Sequence, residues 1–182
     1  VALVISPLIA LMKDQVDGLK QLGLRAACIN SALSPAEQGE CIAQMQAGEL
    51  DLVYLAPERF RSPRFVEALR HIKMRLLAID EAHCISEWGH DFRPEYARIG
   101  WFRERVGQPT TIALTATATP TVRDDIVKQL HLDDPRVFMA GFSRPNLRFE
   151  VASTRGNAEK DSILLDFLNE TPGSGIIYSS SR

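Results

Sequence analysis

Residues 80–96 read DEAHCISEWGHDFRPEY, and they hold an adjacent acid pair, two histidines, three aromatic rings and an arginine. The apolar run Leu76-Leu77-Ala78-Ile79 leads directly into Asp80 and Glu81. A buried strand ending in two acids delivers them to the edge of a parallel sheet, where open α/β folds bind their ligands. There Asp80 can hold Mg²⁺ through water, because Mg²⁺ keeps several of its waters. Glu81 can orient or deprotonate a water that attacks a phosphoryl group. Trp88, His90, Phe92 and Arg93 follow at once. Gly89 and Pro94 oppose a continuous helix there. A glycine-hinged loop with aromatic rings and a cation suits stacking on single-stranded nucleic acid, at about 1–3 kcal/mol per base. The spacing of Trp88, Phe92 and Tyr96 by four also fits one buried helical stripe.

His83 is expected as a polar relay between the acid pair and a neighbouring strand end. His83, Cys84 and His90 lack a zinc spacing, and no second Cys/His cluster completes four ligands. Thr115-Ala116-Thr117-Ala118-Thr119 follows the apolar Ile112-Ala113-Leu114. Its hydroxyls suit a strand end: Thr115 and Thr117 are expected to face the site and Thr119 to cap the next helix. Ser6-Pro7 and Pro57-Glu58-Arg59 each lie between a strand pattern and a helix pattern. Helix N-termini present free N–H groups to phosphates, so Ser6, Pro7 and Arg59 are candidate backbone contacts for a nucleic acid.

A rhythm of short apolar runs and longer helical patterns must position these groups. Strands are expected at residues 1–5, 25–29, 52–55, 75–79, 111–115 and 137–140. Helices are expected over 8–22, with Ser6 and Pro7 as cap and first residue, and over 34–46 behind the capping box Ser34-Pro35-Ala36-Glu37. Further helices are expected over 65–72, 95–106 and 119–130. Alternation of this kind makes an α/β fold, a mainly parallel sheet with helices on both faces. The polar stretch Ser143-Arg144-Pro145-Asn146 reads as a linker, which gives a first domain over 1–145 and the opening of a second over 146–182. A strand at 147–151, a helix at 158–168 and a strand at 176 restart the pattern.

The 182 residues are 45% hydrophobic and 24% charged, an ordinary globular composition. No apolar run approaches the ~20 residues that cross a bilayer. Three widely spaced cysteines argue against a disulfide framework and for a reducing, intracellular compartment. The net charge of −2 exerts no global pull on nucleic acid. Residues 58–75 are locally basic, a feature that fits either phosphate contact or a solvated helix face. The chain begins and ends on strand-like runs, so we expect an internal fragment of a longer protein.

In order, these pieces resemble the RecQ family of superfamily-two DNA helicases. VISPLIALMKDQV, which includes Ser6, Pro7 and Lys13, looks like that family's first DNA-contacting motif. LLAIDEAHCISEWGHDFRPEY looks like its Walker B box and aromatic-rich loop. ALTATAT looks like the third helicase motif, FSRPNL like the link to the second motor domain, and GIIYSSSR like the start of the fourth motif. Glu87 stands where the family usually has Gln, and YSSSR replaces the commoner YCNSR. The resemblance implies two RecA-like domains and an ATP-dependent helicase moving three-prime to five-prime on DNA, in recombination and repair. It also implies ATP and Mg²⁺ as cofactors, DNA (single-stranded and duplex junctions) as partner, and a nucleoid or nuclear setting. Asp80 and Glu81 would serve hydrolysis, His83 would link them to Thr115 and Thr117, and Trp88, His90, Phe92 and Arg93 would sense DNA. No GxxxxGK[ST] phosphate loop occurs within the 182 residues. The segment alone is therefore expected to be inactive, marginally stable and short of its central strand. The competing readings are a DNA-binding module without ATPase activity, and a metal-dependent nuclease using Asp80, Glu81, His83, His90 and Asp91.

Overall fold

The computed structural model describes residues 1–141 and 145–179. The chain divides into two compact units, residues 1–137 and 138–182. In the first unit five strands form one sheet: β1 (Ala2–Ile5), β2 (Ala26–Ile29), β3 (Leu52–Leu55), β4 (Leu76–Ile79) and β5 (Thr110–Ala113). Their order is β2-β3-β1-β4-β5, and every neighbouring pair is parallel. The five strands are continuous, with β1 third in the order. Central strands of such a sheet are covered on both faces, so they read as continuous apolar runs. LVI, LVYL and LLAI fit that rule.

Register places the site. Ile5 lies level with Leu55 and Ile79, and Ile79 with Ala113. The residues that follow, Ser6, Ala56, Asp80 and Leu114, therefore leave the sheet along one edge. On one face Leu3, Ile5, Ile29, Val53, Leu55, Leu77 and Ile79 are fully buried. They join a core with side chains from α2 (Pro35–Ala47), α3 (Pro63–Leu69), α4 (Ile99–Arg105) and α5 (Pro120–Gln129). Each such side chain contributes about 1.5–3 kcal/mol by leaving water. Val4 and Tyr54 alternate to the other face. There they line a cleft with Leu11, Met12 and Gln15 of α1 (Ile9–Gln21), so helices cover both faces as expected.

Local signals set most helix ends. Ser34 accepts from the Glu37 backbone N–H at 3.3 Å, while the Glu37 carboxylate accepts from the Ser34 N–H at 2.8 Å. Gly48, at φ 72°, closes the same helix in the left-handed region that glycine tolerates. Ser62 and Thr119 cap α3 and α5 through their side chains, each followed by proline.

Several expected elements differ. The helix α1 starts at Ile9 with Leu8 at its cap position and no side-chain cap, because the Ser6 hydroxyl is committed elsewhere. The helix expected over 95–106 is a 3₁₀ turn, Tyr96–Arg98, followed by α4. Residues 137–140 form no strand, and Val137 and Phe138 are exposed. Apolar character there did not mean burial. In the second unit the helix α6 (Asn157–Glu170) forms, with no side chain buried. Residues 147–151 and Ile176 form no strand. Ser143 and Arg144 of the expected linker, and Ser180 and Arg182 of the YSSSR stretch, lie outside the described residues. No helix among the described residues is long and apolar enough to cross a membrane.

Candidate functional site

Asp80 is the first residue beyond β4, and its N–H donates to the Ile5 carbonyl at 2.8 Å. Its carboxylate accepts from the Ser6 hydroxyl at 3.2 Å and from the Glu81 N–H at 3.0 Å. The backbone then reverses: Glu81 sits at φ 47°, ψ 45°, a left-handed conformation uncommon for a residue with a Cβ. Such a residue persists only where its surroundings hold it. A short 3₁₀ turn, Ala82–Ile85, follows and is wholly buried.

His83 in that turn is buried. Its Nδ1 lies 2.9 Å from Thr115 Oγ1, just beyond β5, and 3.2 Å from Glu81 Oε2. One imidazole thus spans the ends of two adjacent strands, the place the sequence expected for a relay. Thr117 comes to the same group through its backbone, whose N–H donates to Thr115 Oγ1 at 3.2 Å. The Thr117 side chain itself is exposed, so only one of the two threonine hydroxyls reaches His83.

The loop from Ser86 to Glu95 folds back on this turn. His90 stacks on His83, with ring centroids 4.5 Å apart and planes at 17°. Arg93 donates to Asp91 Oδ2 from Nε at 3.1 Å and from Nη2 at 2.8 Å, and the Cys84 thiol donates to the same oxygen at 3.8 Å. Asp91 is thereby held below its usual pKa, first by those Arg93 hydrogen bonds. Burial pushes the Cys84 thiol up to about 11. His83, Cys84 and Asp91 bring their ligand atoms within 4.8 Å of one another. In this structure the Arg93 guanidinium is paired with Asp91 at 2.8 Å. The arrangement works as a clasp that closes the loop.

The aromatic residues divide. Trp88 is 77% exposed and Phe92 37%, whereas Tyr96 is 0% exposed. The three do not form a helical stripe. Two rings face solvent and the third is a core residue, whose hydroxyl donates to the Asp80 carbonyl at 3.0 Å.

Other expected contacts are placed differently. Ser6 is buried against Asp80, so its side chain serves the acid pair rather than solvent. Pro7 follows it without entering α1. The Arg59 guanidinium turns inward, donating to Gln38 Oε1 at 2.6 Å and covering the Phe65 ring at 5.3 Å. The charge of residues 58–75 is partly spent within the chain as well, with Arg61 paired to Glu95 and Arg70 to Glu67. Lys13 is exposed and lines a groove between α1 and α2 with Lys20, Asp17, Glu37 and Glu40.

Three features were missed by sequence reasoning: the Ser6–Asp80 hydrogen bond, the left-handed Glu81 and the Tyr96–Asp80 link. Only the first left a signal, a small hydroxyl directly after a strand. Gly89 shows why the loop needs glycine. A Cβ there would lie 2.6 Å from the His83 carbonyl oxygen and 3.1 Å from that of Ser86.

Residues 1–126 match the family model described as DEAD/DEAH box helicase. The chain belongs to that family. Among curated relatives it is 48% identical to an ATP-dependent DNA helicase RecQ of Bacillus subtilis, over 99% of this chain and 30% of the relative. It is 42% identical to an ATP-dependent DNA helicase RecQ of Pasteurella multocida, over 99% of this chain and 28% of the relative. The chain spans less than a third of the length of these proteins. The resemblance read from DEAHCISEWGHDFRPEY thus extends across the chain. Among solved structures, the Hef helicase domain of Pyrococcus furiosus is similar with a TM-score of 0.55 and 17% identity, covering 71% of this chain and 27% of that one. A hypothetical ATP-dependent RNA helicase of Sulfolobus tokodaii gives 0.51 and 19%, covering 72% and 38%. At those identities the likeness concerns the fold, a RecA-like helicase domain.

Proposed function

We propose that this chain forms part of the motor of an ATP-dependent DNA helicase, moving three-prime to five-prime, acting in recombination and repair inside the cell. The first 145 residues belong to one RecA-like domain, and residues 146–182 open a second. Bound Mg²⁺–ATP would supply the phosphoanhydride to be cleaved and a divalent charge to offset the charge that develops on it. The donor set fits half of that group. Asp80 is the carboxylate to hold Mg²⁺ through water, oriented by the Ser6 hydroxyl and the Glu81 N–H. Glu81 is the base that positions the attacking water, and His83 fixes its carboxylate while reaching Thr115. The missing half is a phosphate loop, since GxxxxGK[ST] does not occur in the 182 residues.

One observation carries the reading: the ring that touches Glu81 and Thr115 also stacks on His90 in the aromatic loop. Trp88 and Phe92 stack on single-stranded DNA, and His90 and Arg93 connect that contact to the turn. Phosphoryl transfer depends on positioned charge, so the segment without its phosphate loop does not turn over ATP.

The test uses the full-length parent protein. Glu81→Gln and Asp80→Ala should abolish ATP turnover and leave single-strand affinity nearly unchanged. A parent that binds DNA without ATP turnover would favour a pure binding module. DNA-stimulated turnover by the 182-residue segment alone would overturn the predicted inactivity of the fragment.

A further inference from the structure

Tyr96 is the largest of the fully buried side chains, and it lies where the aromatic loop returns to the fold. Its N–H donates to the Arg93 carbonyl at 2.9 Å, and the Arg93 N–H donates to the Cys84 carbonyl at 2.9 Å. This anchors the ring beside the acid pair. Its hydroxyl donates to the Asp80 carbonyl oxygen at 3.0 Å. The other end of that same peptide, the Glu81 N–H, donates to Asp80 Oδ1 at 3.0 Å. A single peptide unit is therefore gripped at both its oxygen and its nitrogen. It is the unit that leads into Glu81 at φ 47°. A left-handed glutamate relaxes by rotating that peptide, and the rotation would swing the carbonyl off the tyrosine.

We infer that Tyr96 is a positioning residue for the Asp80–Glu81 pair: its hydroxyl locks the intervening peptide and so holds Glu81 in the left-handed turn that sets both carboxylates. This rests on the hydrolytic reading of the pair given above. Tyr96 touches neither substrate nor metal and acts through the backbone alone.

The experiment compares the full-length parent protein with its Tyr96→Phe variant, which loses one oxygen and keeps the ring. ATP turnover is measured with and without single-stranded DNA and across a Mg²⁺ titration. Amide hydrogen exchange is followed in parallel. The expected result is a fall in kcat of about tenfold, the rate equivalent of roughly one hydrogen bond. The fall should be in equal proportion with and without DNA. The Mg²⁺ concentration for half-saturation should rise, the DNA requirement should not change, and exchange should quicken at Glu81 and Ala82 only. Wild-type kinetics would overturn the inference. So would a loss confined to DNA stimulation, which would assign Tyr96 to the loop. Faster exchange across the whole sheet would make Tyr96 a strut of the core and overturn it as well. If the wild-type parent hydrolyses no ATP, the hydrolytic reading fails instead. The exchange pattern then still decides whether the hydroxyl holds the turn.

Discussion

His83 and His90 lie ring on ring, 4.5 Å between centroids and 17° between planes. One belongs to the turn that holds the acid pair and the other to a loop that exposes two aromatic side chains. An aromatic pair of this kind is worth about 0.5–1.5 kcal/mol beyond its buried area. In the parent protein, His90→Ala should therefore lower DNA-stimulated ATP turnover by about three- to tenfold, more than it lowers basal turnover. His90→Phe should recover part of the loss. Steady-state turnover with and without oligonucleotide checks both.

Exposure ranks the loop rings. Trp88 stands much further out than Phe92. Trp88→Ala should weaken single-strand binding by about 1–3 kcal/mol, and Phe92→Ala by less. Anisotropy of a labelled oligonucleotide at fixed salt measures this. Equal losses in basal and DNA-stimulated turnover would reduce the loop to a structural part.

Three glycines predict three different signs or sizes. A Cβ at Gly89 meets two backbone carbonyls, at 2.6 and 3.1 Å, so Gly89→Ala should destabilise the fold by about 1–3 kcal/mol. A Cβ at Gly100 would lie 2.0 Å from the Gln129 carbonyl oxygen, which would force α4 away from the end of α5. Its cost should be the larger. Gly18, inside α1, has nothing within 4 Å, and Gly18→Ala should stabilise by about 0.5–1 kcal/mol. Denaturant midpoints of the three variants give the ranking.

The acid and alkaline limbs of stability have different owners. Arg25 hydrogen-bonds Asp51 at 2.6 and 3.0 Å and holds its pKa down at about 2. A folded pKa below the unfolded value of 3.8 adds stability above about pH 4, which is lost as the pH falls through 2. The pair is exposed, so salt should erode the effect. Asp51→Asn should flatten this limb. Burial instead raises Cys41 and Cys84 to about 11, above the unfolded 9.0. Their contribution is complete below pH 9 and disappears as the pH rises through 11. Alkylation at pH 8 should therefore reach Cys84 only as fast as the chain unfolds.

Periodicity carried the first unit well because its strands are buried on both faces and its helices are cut by local devices. LLAI before Asp80 and the Ser34 and Thr119 caps could be read directly. The same rule failed at 137–140, where an apolar run has no place in the sheet. It also failed at 95–106, where the helical pattern begins as a 3₁₀ turn around the buried Tyr96. At the site, residue types gave the acid pair, His83 and Thr115, since their chemistry is local to each strand end. The grip of Tyr96 on Asp80 spans sixteen residues and depends on how the loop returns. The inward turn of Arg59 depends on Gln38 from another helix. Neither leaves a mark in the spacing of one segment.

The strand order has a consequence for how the chain is made. Ala2 pairs with Leu52 and with Leu76, partners that are translated 50 and 74 residues later. At about 5–20 residues per second, β1 waits several seconds on the ribosome before either neighbour exists. The pairing of β2 with β3, 26 residues apart, can form first and leaves a slot for β1 to enter. Closing such distant ends before any contact rewards it makes assembly slow. During that wait ALVI is an apolar strand without either of the partners it pairs with in the folded sheet.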